Sequence, residues 1–113
     1  MGHPFDIQRR KKGDVVILDL VGDLTLGEPE QLFRSAFAEC VSRKQSHVIV
    51  NLESVEFMDS SGVGEILRLF KLVRDRNGEV VLINPNQKLH NQFTMYRFEK
   101  FMKIRDSVEA GEE

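Results

Sequence analysis

Hydrophobic positions along this chain follow two alternating rhythms. Val15-Val16-Ile17-Leu18-Asp19-Leu20-Val21, His47-Val48-Ile49-Val50-Asn51-Leu52 and Glu79-Val80-Val81-Leu82-Ile83-Asn84 are short, β-branched and almost continuously apolar. Runs of this kind predict interior strands, covered on one face and screened on the other. Gly22 follows the first run, and Pro85, which has no N–H to give to a ladder, stops the last. Weaker strand patterns lie at Phe5 to Arg10 and at Phe101 to Arg105. Lys11-Lys12-Gly13-Asp14 predicts a hairpin turn in which Gly13 supplies a positive φ.

Between the strands the period lengthens. Leu32, Phe33, Ala36, Phe37, Cys40 and Val41 draw one apolar stripe on a helix, with Pro29 suited to its first turn. A second helix is predicted with Val63, Ile66, Leu67, Phe70 and Val73 inward. Arg68, Lys71 and Arg74 fall on its other side, and Asn77-Gly78 supplies the stop. A third helix, from about Asn86 to Phe98, offers Leu89, Phe93 and Tyr96 to the core. The order β-β-α-β-α-β-α-β implies an antiparallel hairpin followed by right-handed βαβ crossovers. The expected class is α/β: a mixed β-sheet of four to five strands with α-helices packed mainly on one face.

Composition narrows the function. A chain of 113 residues, 41% hydrophobic and 30% charged, predicts a single folded domain over 1–113 and argues against disorder. The ordered core is expected over about 5–108, with loose ends at Met1 to Pro4 and Glu109 to Glu113. Sixteen Lys and Arg against eighteen Asp and Glu leave a net charge of -2, with no surplus for neutralising phosphates. The one basic run, Arg9-Arg10-Lys11-Lys12, reads as a solvated hairpin, so no direct nucleic-acid binding is expected. One cysteine excludes an internal disulfide, and with three scattered histidines it builds no metal site. Cys40 falls on the apolar stripe and reads as core. No apolar run approaches the ~20 residues of a membrane span, and Met1 to Asp6 lacks a signal-peptide pattern. The expected location is therefore cytoplasmic, without a membrane partner.

Chemistry concentrates in Val55-Glu56-Phe57-Met58-Asp59-Ser60-Ser61-Gly62-Val63-Gly64-Glu65, between a strand and a helix. Asp59, Ser60 and Ser61 fall at the helix N-terminus, where free N–H groups and the dipole favour anions. On local chemistry alone, plain capping explains the same residues. Catalysis is not expected, because Ser60 lies in no Gly-x-Ser-x-Gly elbow. Gly62-x-Gly64 is a fragment of the dinucleotide fingerprint, with Leu67 where the third glycine belongs, and no Walker sequence occurs. No cofactor is expected.

Phe57-Met58-Asp59-Ser60-Ser61-Gly62-Val63-Gly64, after its Val-Ile-Val-Asn-Leu strand, resembles the signature of the STAS domain family. More narrowly it resembles the small bacterial anti-sigma factor antagonists. Gly22-Asp23-Leu24 and Asn84 fall in register with that pattern, and Phe101, Ile104, Ser107, Glu109 and Ala110 match it approximately. The resemblance implies a STAS fold and a partner-switching protein rather than an enzyme. It implies an unphosphorylated form that binds an anti-sigma factor, itself a GHKL-type serine kinase, and so releases the sigma factor. The kinase, which uses the ATP, would phosphorylate Ser60, and a PP2C-type phosphatase would reverse the step. Asp23, Thr25, Asp59, Ser60, Ser61, Gly62 and Val63 are then the expected partner-binding residues. Two positions depart from the family pattern. Thr25 stands where an acid or amide is common, and Arg97 stands before Phe98 where glycine is common. The alternative reading is a STAS scaffold, or a ligand- or nucleotide-sensing module, in another signalling assembly.

Overall fold

The computed structural model describes residues 4–106. Along the chain run β1 (Asp6–Lys12), β2 (Val15–Val21), α1 (Glu28–Ser42), β3 (His47–Ser54), α2 (Ser60–Arg74), β4 (Glu79–Ile83), α3 (Gln87–Met95), a 3-10 turn (Phe98–Lys100) and β5 (Lys103–Arg105). The five strands form one sheet in the order β1-β2-β3-β4-β5. β1 pairs antiparallel with β2, and every later pairing is parallel. Gly13, at φ 62, makes the expected hairpin turn. This is the mixed α/β sheet that the alternating periods predict.

Register explains why the strands are so uniformly apolar. Val16, Val48 and Val80 stand side by side, as do Leu18, Val50 and Leu82. These residues enter the main core with Phe33, Phe37 and Cys40 of α1, Ile66, Leu69 and Val73 of α2, and Leu89 and Phe93 of α3. All three helices therefore cover one face of the sheet. Residues of the opposite parity, Ile17, Ile49, Val81 and Ile83, form a second buried cluster on the other face. Both parities are withdrawn from water, which removes the alternation that a half-exposed strand would show. Burial also pushes the Cys40 thiol up, in keeping with a packing role.

A polar row closes the second face where the strands end. Arg10 Nε and Nη2 donate to Asp19 Oδ2 and Oδ1 at 2.5 and 3.0 Å. Asn51 Nδ2 donates to Asp19 Oδ1 at 2.8 Å, and Asn84 Nδ2 donates to Asn51 Oδ1 at 3.2 Å. The Arg10 hydrogen bond, helped by that from Asn51, holds the Asp19 carboxyl below its ordinary value against the opposing pull of burial.

Several helix details differ from the pattern-based expectation. Leu69 joins the buried side of α2, while Leu67 and Phe70 lie half-buried at its shoulder. Leu32 sits exposed at the edge of the α1 stripe. α3 stops at Met95 rather than Phe98, because Arg97 adopts the left-handed conformation at φ 60 and breaks the helical run. Tyr96 is consequently exposed, and Phe98 takes the buried place. At the end of α2, Gly78 approaches its neighbour so closely that a Cβ would stand 2.1 Å from the Ser46 carbonyl oxygen. Its N–H donates to the Val73 carbonyl at 2.7 Å. Ser107, Glu109 and Ala110, and the predicted loose ends apart from Pro4, lie outside the described residues. Among the described residues no helix is long and apolar enough to cross a membrane.

Candidate functional site

Asp59 organises the junction between β3 and α2. Its backbone is extended, at φ -89 and ψ -176, and its side chain caps the helix. Oδ1 accepts from the Ser61 and Gly62 N–H groups at 2.9 and 3.1 Å. Oδ2 accepts from the N–H of Leu26, in the loop between β2 and α1, at 3.0 Å. One carboxylate thus satisfies free donors of the helix and also ties a second loop to it.

The two loops are stitched along their length. Leu24 forms an isolated parallel bridge with Met58. The Leu24 N–H donates to the Phe57 carbonyl at 3.1 Å, and the Gly22 N–H donates to the Ser54 carbonyl at 3.0 Å. Gly62 permits the approach, since a Cβ there would lie 2.4 Å from the Leu24 carbonyl oxygen and 2.6 Å from Met58 Cγ. From the other side, Gln92 Nε2 of α3 donates to the Met58 carbonyl at 2.9 Å, and Asn86 Nδ2 donates to that of Glu56 at 3.2 Å. The segment from Glu56 to Asp59 is held on both flanks.

Within this frame Ser60 is the first residue of α2 and is exposed. Its hydroxyl makes no hydrogen bond with another described residue. Gly64, one turn further, is exposed, and a Cβ added there would meet nothing within 4 Å, so the helix face beside Ser60 is open. Asp23 is exposed in the neighbouring loop, and Thr25 and Ser61 are half-buried. The predicted set therefore converges on one end of the sheet, but its members play different parts. Gly62 and Val63 are buried and shape the loop from beneath, whereas Asp23 and Ser60 stand at the surface. A cleft of about 520 Å³ lies beside them, with Phe5, Asp23, Thr25, Glu53 and Glu56 on its walls. Ser60 is outside it.

Three features escaped the reading of the sequence. Glu65 is a buried charged residue, at 4% exposure. Arg34 of α1 reaches it with Nη2 at 2.6 Å and Nε at 3.2 Å, and also lies 3.5 Å from Glu30. The Glu65 carboxylate correspondingly raises the Arg34 guanidinium above its ordinary value. The signal was present: Glu65 falls between Gly62 and Leu69 at helical spacing, inside the buried stripe, and a charge there requires a partner. Leu26, at 71% exposure, and Phe57 are apolar side chains left in water on the two loops that Asp59 joins. Lys88 Nζ stands 5.0 Å over the Phe57 ring. No group of metal-ligating side chains occurs among the described residues.

The STAS domain family model matches residues 6–111, and the chain belongs to that family. An anti-sigma F factor antagonist of Paenibacillus polymyxa is 33% identical over 104 residues, which cover 91% of this chain and 88% of the relative. The crystal structure of TM1081 from Thermotoga maritima has a TM-score of 0.88 at 25% identity, covering 94% of this chain and 91% of that one. The anti-sigma factor antagonist SpoIIAA of Bacillus shares the fold in two forms. Its unphosphorylated form gives a TM-score of 0.75 at 23% identity, covering 95% of this chain and 92% of SpoIIAA. The phosphorylated form gives 0.74 at 24%, covering 95% and 96%.

Proposed function

We propose that this protein is an anti-sigma factor antagonist whose partner switch is Ser60. The unphosphorylated protein binds an anti-sigma factor and releases the sigma factor; phosphorylation of Ser60 turns binding off. The single observation that carries this reading is the Ser60 hydroxyl: exposed, without a partner among the described residues, and fixed by a cap that Asp59 shares between two loops. The Paenibacillus relative bears the same role in its name, and SpoIIAA shows that this fold occurs in a phosphorylated form. In this scheme the anti-sigma factor is a GHKL-type serine kinase that supplies the ATP chemistry, and a PP2C-type phosphatase resets the switch. The protein itself performs no catalysis and needs no cofactor. Its place of action is the cytoplasm.

Phosphorylation adds about -1.5 to -2 charge at neutral pH. At a helix N-terminus that charge is favoured by roughly 0.3–1 kcal/mol when exposed, so the helix remains intact. The effect falls on the partner, whose surface fits a neutral hydroxyl. A loss of ~2–3 kcal/mol there weakens binding about 30- to 150-fold. The test is to incubate the protein with its anti-sigma factor and ATP and to map the phosphate by mass spectrometry. Phosphate on Ser60, absent in Ser60→Ala and retained in Ser61→Ala, is the expected result. Phosphate on Ser61 defeats the assignment.

The cleft beside Asp23 and Thr25 is what favours the second reading, a ligand-sensing module. Its acidic walls, from Asp23, Glu53 and Glu56, suit a cationic ligand and oppose the phosphates of a nucleotide.

A further inference from the structure

A chain of aromatic rings runs from the end of α3 across to α2. Tyr96 and Phe98 have ring centroids 6.0 Å apart, Phe98 and Phe101 are 5.9 Å apart, and Phe101 and Phe70 are 5.2 Å apart. Phe98 is buried and stacks on Phe93 at 5.5 Å, which anchors the row in the core. Its outer members are not covered: Tyr96 is 46% exposed, Phe101 45%, and Met95 beside them 73%. Apolar side chains exposed together, rather than singly, mark interaction surfaces.

Cations surround this row. The Arg74 guanidinium lies 5.5 Å over the Phe70 ring. Arg97 and Lys100 are exposed within the same stretch of chain as the rings, and Lys71 is exposed on α2. Neither Arg97 nor Lys100 forms a side-chain hydrogen bond or ion pair with another described residue. Arg97 also holds a left-handed backbone at φ 60, a conformation that glycine adopts without steric cost. An arginine thus stands where the backbone itself favours glycine, and its guanidinium has no side-chain partner among the described residues.

We propose that this flank is a second docking surface, one that receives an apolar protein segment flanked by carboxylates. Charge complementarity selects such an occupant: the rings and Met95 take its apolar side chains, and Arg97 and Lys100 take its acids, while Arg74 is already paired with Asp75 at 3.6 Å. An anionic lipid surface fits less well, because the carboxylates of Glu99 and Asp75 stand exposed among the same cations. α3 joins the flank to the segment that precedes Ser60. Gln92, whose side chain holds the Met58 carbonyl at 2.9 Å, lies one helical turn before Met95 and Tyr96. Assigning the acidic segment to the anti-sigma factor rests on the function proposed above.

Synthetic peptides test the surface without that assumption. The probe is an amphipathic helical peptide with leucines on one face and glutamates beside them, compared with versions carrying glutamine or lysine in place of glutamate. The glutamate peptide is expected to bind the intact chain about tenfold tighter than the glutamine peptide. Its amide shift changes should centre on Met95, Arg97, Lys100 and Phe101. Arg97→Gly is expected to weaken that binding about fivefold or more while leaving the thermal midpoint unchanged or raised. Phe101→Ala should weaken it further, and Ser60→Asp should leave peptide affinity unchanged, which separates this surface from the switch. Equal affinity for the glutamate and glutamine peptides overturns the proposal, as does wild-type binding by Arg97→Gly. Shift changes confined to Leu26 and Phe57 overturn it as well. Arg97-dependent binding to phosphatidylglycerol vesicles with no binding of the glutamate peptide replaces it with a lipid surface.

Discussion

The starts of α1 and α2 lie side by side and solve the same problem in opposite ways. α1 begins at Gly27 without a side-chain cap hydrogen bond, and it has Glu28 and Glu30 in its first turn. Those carboxylates already answer the helix dipole. α2 is capped by Asp59 from outside and carries no acid in its first turn, only Ser60, Ser61 and Gly62. Its N-terminus is therefore tied by hydrogen bonds yet still able to accept negative charge. The comparison teaches where a charge switch can operate: a phosphate at α1 would meet two acids, whereas at α2 it meets one that is occupied with three backbone N–H groups.

The sharpest way to break this contrast is to push the two loops apart. Gly62→Ala places a Cβ 2.4 Å from the Leu24 carbonyl oxygen, and backbone cannot yield as a flexible side chain can. We expect a loss of about 3 kcal/mol in urea unfolding, with amide shift changes across Leu24 to Gly27 as well as α2. Gly64→Ala, which meets nothing within 4 Å, should be neutral or mildly stabilising. Equal costs for the two variants would show that the loops are not packed as described.

Removing the shared cap comes next. Asp59→Ala leaves the Ser61, Gly62 and Leu26 donors without their acceptor and should cost about 2 kcal/mol. Glu30→Ala at α1 removes only a 3.5 Å hydrogen bond from the Gly27 N–H and a 3.5 Å contact to Arg34, and should cost under ~1 kcal/mol. Thermal melts of the pair decide it, and reversed magnitudes would overturn the asymmetry.

These contrasts were only partly legible in the chain. The strands were readable because both sheet faces are covered, so Ile17 and Val81 were recruited as fully as Val16 and Val80. The Asp59 cap was readable from its place before a helix, since capping is local. Its bond to Leu26 spans 33 positions and has no local signature. The end of α3 was misplaced for a related reason: Arg97 is an ordinary helix former by propensity, and only the tertiary structure holds it at φ 60. Glu65 was recoverable from spacing alone, but its partner Arg34 was not: the crossovers bring α1 beside α2 without fixing which of their residues meet. The switch role proposed for Ser60 came from the family resemblance; capping chemistry alone left it undecided.

A smaller effect concerns the polar row at the same end of the sheet. The folded state depresses the Asp19 carboxyl through Arg10 and Asn51, so the unfolded chain binds its proton more readily. The stability this adds is complete above the ordinary aspartate value near ~4 and is lost as pH falls through the depressed folded value. Asp19→Asn should cost roughly 1 kcal/mol at neutral pH and flatten the acid limb of the stability curve. An unchanged acid limb would remove Asp19 from the account.

Ser60 is proposed to switch a partner without unfolding its own helix. Calorimetric titration of the anti-sigma factor with unmodified and Ser60-phosphorylated protein tests it most directly, with the thermal midpoint of each form measured alongside. Affinities are expected to differ about 30- to 150-fold, with helix stabilities within ~1 kcal/mol of each other. Equal affinities, or a phosphorylated form that loses binding only because it unfolds, would contradict it.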